Sequence, residues 1–216
     1  MNRQVIFRKW LKFIWGLVIY SFGVYCTINA GIGAAPWDVL AIGAADHLPV
    51  SYGVVVTVIN IILVTIDWKM GERIGFGTIY DALLTGNFTD IWLRLNPLGN
   101  SHSIVSGTVI LVAGLFIASV GMYFAMSAGQ GCGPKDALLL VVGKRLPKIP
   151  IGLVQIMIFA CALIAGVLLG GPVGFGTVIS VACSGTALQI VFHILHYEPR
   201  ETVHLDFFET LRVLKG

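Results

Sequence analysis

Two carboxylates stand at matching places in an otherwise apolar chain. Asp38 closes the stretch Ala30-Gly31-Ile32-Gly33-Ala34-Ala35-Pro36-Trp37-Asp38, and Asp136 closes Ala128-Gly129-Gln130-Gly131-Cys132-Gly133-Pro134-Lys135-Asp136. A carboxylate at membrane depth is costly and marks a site of function. Its chemistry there would be cation binding, proton coupling, or contact with a cationic group on a substrate. The competing reading is that each Asp caps its own helix. Pro opens the helix at its first position, which puts Asp at the third, where free N–H groups and the positive end of the dipole meet it. The two readings are compatible, because a capping carboxylate keeps lone pairs free.

Trp37 and Lys135 share the position before each Asp, so a cavity between the two stretches has one aromatic and one cationic side. Tyr25 and Tyr123 precede the two breaks, where they either line that cavity or seal helix packing. Gly31, Gly33, Gly129 and Gly131 interrupt the helices and leave backbone N–H groups open to a ligand. These ten residues form the expected substrate-binding set.

The elements that must position them come in duplicate. Ser-x-Gly-x-Tyr leads into both stretches, at Ser21, Gly23 and Tyr25 and at Ser119, Gly121 and Tyr123. A second shared word, Gly-Phe-Gly-Thr, begins at Gly75 and again at Gly174, with one residue gained near Pro49 and Pro147. Words repeated in one register identify a duplicated unit. The expected spans in the first unit are Phe13 to Asn29, Tyr52 to Trp68 and Thr78 to Leu95. In the second unit they are Ile104 to Ala128, Ile151 to Leu169 and Thr177 to Leu195. Pro36 to Leu48 and Pro134 to Leu146 are too short to cross a hydrocarbon core of about 30 Å, and they are read as re-entrant half-helices. The glycines of Gly-Phe-Gly-Thr are read as sites of close backbone approach, since a phosphate loop would carry a Lys after the last Gly. Thr78-x-x-Asp81 looks like a capping box. The second unit has Ser180 in place of Asp81, which sets Asp81 outside the shared pattern. Asn60 and Gln155 are lone amides at non-equivalent positions, read as interhelical hydrogen-bonding groups.

Composition agrees. Of 216 residues 56% are hydrophobic and only 12% charged, and the mean hydropathy is +0.87. Soluble domains carry about 25% charged residues. The net charge of +3 does not point to nucleic acid, because the basic residues cluster at the ends of apolar runs. With a cytoplasmic N-terminus and three crossings per unit, thirteen of the fourteen Lys and Arg residues fall inside and only Arg94 lies outside. The positive-inside rule then favours two inverted repeats over two parallel ones. The N-terminal run is read as a retained anchor, since its counterpart is an internal span.

The expected fold class is therefore an all-α membrane protein: two inverted repeats, each of three transmembrane helices plus one re-entrant half-helix. Repeat 1 covers 13–95 and repeat 2 covers 104–196, within one membrane domain. Residues 197–216 form a cytoplasmic tail whose Val203, Phe207, Phe208, Leu211 and Leu214 share one helical face. Cys26, Cys132, Cys161 and Cys183 are read as small buried hydrophobes. No nucleophile and base pair up, the histidines lack ligand spacing, and neither cofactor nor metal is expected.

The repeated Ala-Gly-x-Gly-x-x-Pro-x-Asp with the later Gly-x-Gly-Thr resembles the YczE/YyaS/YitT group of bacterial inner-membrane proteins, closest to the YczE-like branch. The resemblance runs from about Phe13 to His196. It implies a multi-spanning bacterial plasma-membrane protein with a transporter role. The expected function is movement of a small solute, with proton coupling as one means of driving it. The alternative is a membrane assembly or regulatory factor that moves nothing. The expected partners are the lipid bilayer and a small molecule, not nucleic acid, with oligomerisation left open.

Overall fold

The computed structural model describes residues 3–72, 74–99, 103–131, 133–149 and 151–197. Among them the chain forms eight α-helices and no strand: α1 (Arg3–Asn29), α2 (Pro36–Ala45), α3 (Tyr52–Lys69), α4 (Phe76–Leu95), α5 (Ile104–Ser127), α6 (Pro134–Arg145), α7 (Ile151–Leu168) and α8 (Phe175–Ile194). Four of them, α1, α3, α5 and α8, are long and apolar enough to cross a membrane. The order long, short, long, long occurs twice, as the sequence repeat requires. The short helices are 10 and 12 residues, or roughly 15–18 Å. Each carries Pro in its first turn and ends before the expected Leu48 and Leu146. The first helix begins ten residues earlier than Phe13. Its basic turns continue the helix beyond the apolar stretch, and hydropathy alone does not register them. The tail after Tyr197, with its expected amphipathic face, lies outside the described residues.

The first helices of the two halves cross on glycines at equivalent positions. A Cβ on Gly23 would lie 2.7 Å from the Gly114 carbonyl oxygen, and one on Gly114 would lie 2.8 Å from that of Gly23. Gly16 and Gly121 meet in the same way, at 2.9 and 2.7 Å. Residue 16 faces 121 while 23 faces 114, so α1 and α5 run antiparallel. Small residues at such crossings let backbones approach where lipid leaves no hydrophobic drive between helices.

The shared words also meet, each with the copy in the other half. Gly176 N–H donates to the Ile32 carbonyl at 2.7 Å, and Gly77 N–H donates to that of Gln130 at 2.8 Å. The glycine breaks supply the left-handed turns, with φ of +111° at Gly33 and +130° at Gly131. A Cβ on Gly33 would lie 2.6 Å from Gly174 N and 2.8 Å from Thr177 Oγ1. One on Gly131 would lie 2.7 Å from Thr78 Oγ1. The expected close approach is thus found, between halves. Other packings come in matched pairs as well: α1 on α4 and α5 on α8 within the halves, α2 on α7 and α3 on α6 between them.

One pair is not reciprocal. α3 and α4 pack closely, with Gly53 and Gly86 in backbone contact and Gly53 N–H donating to Asp90 Oδ1 at 2.8 Å. Their counterparts α7 and α8 barely touch, and Gly152 and Gly185, the equivalents of Gly53 and Gly86, face open space. Cys161 and Cys183 are exposed on these two helices, against the expected burial, while Cys26 is buried. Among the described residues no helix covers the α7 and α8 surfaces that carry those cysteines.

Gly131→Ala is expected to destabilise the protein by about 2–3 kcal/mol, from the left-handed strain plus the clash with Thr78. Gly71→Ala shares a positive φ of +88° but meets no atom within 4 Å, and it should cost only about 1 kcal/mol. Thermal unfolding of both variants in detergent checks the difference.

Candidate functional site

α2 and α6 bring their N-terminal ends together. Lys135 Nζ sits over the Trp37 ring, 5.6 Å from its centroid. The aromatic and cationic sides expected from the sequence therefore meet across one cavity of about 260 Å³, lined by Trp37, Asp38, Lys135 and Asp136 together with residues of α1, α3, α4, α5, α7 and α8. Gly131 lies in its wall, whereas Gly31, Gly33 and Gly129 do not line it. Those three shape the turns behind the site rather than facing a ligand.

Neither aspartate is the N-cap residue of its helix. The N-cap residues are Ala35 and Gly133, and neither short helix has a side-chain cap hydrogen bond. Asp38 is 6% exposed, and its Oδ1 accepts from Tyr52 Oη of α3 at 2.8 Å. The Asp136 side chain has no hydrogen-bond partner among the described residues. Lys135 makes no ion pair with either carboxylate; the ion pair found among the described residues joins Lys144 to Glu72, at 2.5 Å.

A third carboxylate, Asp81, completes the group. It does not belong to a capping box: the N-cap of α4 is Gly75, and Asp81 lies a full turn further in. Its Oδ1 accepts from Thr85 Oγ1. Gly133 separates Asp81 from Asp136, since a Cβ there would lie 2.7 Å from Asp81 Oδ2 and 3.4 Å from Asp136 Oδ2. The sequence hid Asp81 because the repeat offered no equivalent; its position one turn into α4, after a Gly-Phe-Gly-Thr that folds against the other half's break, was the available signal. Asn60, Gln155, Ser180 and Tyr20 also line the cavity. Asn60 Oδ1 and Ser180 Oγ are buried without a hydrogen-bond partner, and at 3% and 1% exposure both are groups that a ligand or water would satisfy.

Tyr25 and Tyr123 do not line the cavity. Tyr25 is fully buried; its hydroxyl donates to Asn96 Oδ1 at 2.9 Å and accepts from Leu98 N at 3.1 Å. It pins the linker between the halves, beside Asn29, which donates to the Gly99 carbonyl. Tyr123 packs on Phe124 and Tyr197, under Lys12 Nζ at 5.2 Å. Both seal packing, the second of the readings open to them.

Similarity to known proteins agrees with helices that cross a membrane. A sequence-family profile described as "Family of unknown function (DUF6198)" matches residues 7–193. The chain belongs to that family. It is 26% identical over 196 residues to the "Uncharacterized membrane protein YczE" of Bacillus subtilis, covering 87% of this chain and 86% of that protein. It is also 26% identical over 192 residues to "Uncharacterized protein YyaS" of the same organism, covering 87% and 94%. A Haemophilus influenzae "Uncharacterized protein" is 25% identical over 182 residues, covering 84% of this chain and 82% of that one. The YczE and YyaS resemblance carried by the repeated motifs is therefore correct. No solved structure matches the chain.

Tyr25→Phe should lower stability by about 1–2 kcal/mol, because the Leu98 N–H and Asn96 lose their partner in a buried setting. It should leave the cavity's ligand affinity unchanged. Thermal unfolding read beside ligand binding checks both halves of that statement.

Proposed function

We propose that the protein is a multi-pass transporter of the bacterial plasma membrane that moves a small solute through the cavity between α2 and α6, with proton coupling through its aspartates. The observation that carries this reading is a cavity at meeting helix N-termini, walled in one half by the closely packed α3 and α4 and in the other by α7 and α8, which barely touch. Discontinuous helices that meet at mid-membrane, in repeats of opposite orientation, are a recurring plan of secondary transporters. Non-helical backbone at that depth is tolerated where protein covers it or a cavity faces it.

The antiparallel crossing of α1 and α5 supports opposite orientation of the two halves, with six crossing helices and α2 and α6 re-entrant. The charge distribution supports both termini in the cytoplasm. The ends of α3 and α6 share one face, through Lys144 with Glu72 and Arg145 Nη2 with the Met70 carbonyl at 3.4 Å. This agrees with the inside placement that the basic residues require. Reporter fusions after Leu48 are expected to read outside and those after Gly71 inside; a reversal of either would overturn the inverted arrangement.

The unequal glycine pairs supply the motion. If the halves exchange conformations, Gly152 and Gly185 close as Gly53 and Gly86 are closed now, and Gln189 takes the place that Asp90 holds. In a chain with its four cysteines replaced by serine, Gly152→Cys with Gly185→Cys should cross-link on oxidation, since a disulfide needs Cα atoms roughly 4.4–6.8 Å apart. Cross-linking should reduce solute movement in liposomes to background. A pair that never cross-links, or a cross-linked protein that moves solute at the normal rate, defeats the exchange. A chain that moves no amine, amino acid or weak acid, and co-purifies with a stable partner, would instead be an assembly factor.

A further inference from the structure

We propose that the cavity binds an organic cation: a small protonated amine with an apolar body. This deepens the transporter reading and rests on it for the movement of the cation, while binding rests on the cavity itself.

Three acidic side chains, Asp38, Asp81 and Asp136, face one basic one, Lys135. Helix N-termini in membrane sites ordinarily favour anions. Here each N-terminus already holds its own carboxylate in the first turn, Asp38 on α2 and Asp136 on α6. Each dipole end, worth roughly half a charge, is thus taken up from within, and Lys135 offsets one acid at most. Three carboxylates set against one ammonium and two such half charges leave the site short of about one positive charge, and a carboxylate in a low-dielectric wall needs a cation or a proton beside it.

The independent observation is the pair of unpartnered polar atoms in the same wall, Asn60 Oδ1 and Ser180 Oγ, both more than nine-tenths buried. Both oxygens can accept from an ammonium N–H. Among the described residues no three acidic, histidine or cysteine side chains converge as ligands of a single metal ion. The spread of the acids suits a larger cation. Much of the wall is apolar, from Phe13, Leu17, Met122, Ile158, Phe159 and Leu188, which suits the apolar body of such a cation. About 260 Å³ corresponds to the space of about nine waters, enough for a molecule of roughly ten non-hydrogen atoms.

Three probes of that size differing in charge decide the matter: 2-phenylethylammonium, neutral phenylacetamide and anionic phenylacetate. Binding to the full-length protein in nanodiscs is read by calorimetry. The 2-phenylethylammonium ion is expected to bind saturably, and at least about tenfold more tightly than either competitor. Asp81→Asn and Asp136→Asn should each weaken it by about tenfold and leave phenylacetamide unchanged. Absence of cation binding, equal or tighter binding of phenylacetate, or folded Asn variants with unaltered cation affinity would each overturn the proposal. The comparison of probes on the unaltered chain decides it if a variant does not fold.

Nanodiscs of phosphatidylglycerol alone and with added phosphatidylethanolamine separate two sources of the ammonium group. Competition by the added lipid assigns the site to a headgroup, and lack of competition assigns it to a free amine. Cation binding without flux in liposomes sustains the site and removes the transporter reading. Phenylacetate flux without cation binding removes the site and leaves the transporter.

Discussion

The structure depends on two backbone hydrogen bonds between the halves, Gly176 N–H to the Ile32 carbonyl and Gly77 N–H to the Gln130 carbonyl. A helix broken inside a membrane exposes carbonyls that lipid cannot satisfy, at several kcal/mol each. Neither half can repair its own break, because α2 and α6 leave in new directions right after it. Each half instead supplies the start of a helix, Gly-Phe-Gly, whose first amides are free by construction. Glycine is needed on both sides of the contact, for the left-handed turn on one and for the absence of a Cβ on the other. Once the two breaks are held, α2 and α6 have little choice but to aim their N-termini at the same space.

That space inherits a symmetric frame and asymmetric chemistry. Asp38 and Asp136 are equivalent, yet Asp38 is held by Tyr52 of α3 whereas α7 begins with Ile151 at the matching place. Trp37 opposes Lys135, and Asp81 opposes Ser180. Duplication set the geometry, and later substitution gave the two walls different tasks.

Much of this was legible in the sequence, and the exceptions share a cause. The bounds of α3, α4, α7 and α8 fell within two residues of expectation, because Pro and Gly mark them sharply. The repeat alone pointed to Trp37 and Lys135 on two sides of one cavity, but not to their stacking on each other. Asp81, Asn60 and Gln155 were passed over because each lacks an equivalent in the other half, and a search for matching residues discards what a site uses to be selective. Tyr25 misled in the opposite way: it has an equivalent, but both copies serve packing. A repeat reports the frame reliably and says little about which of its residues face a ligand. That depends on helix rotation, which is set by contacts such as Gly53 with Gly86 that lie far apart in the chain.

The crossed backbone bonds also constrain how the chain is made. A ribosome delivers Ile32 long before Gly176, roughly ten seconds or more at bacterial rates of synthesis. Through that interval the first break sits in or beside the bilayer with its carbonyl unanswered and its glycines free to turn elsewhere. The first half cannot mature as a unit and must wait, shielded by the insertion machinery or by water, until the last helix arrives. Truncation anywhere before α8 would therefore leave both halves unfinished, and quality control in the membrane would meet this chain as an all-or-none product.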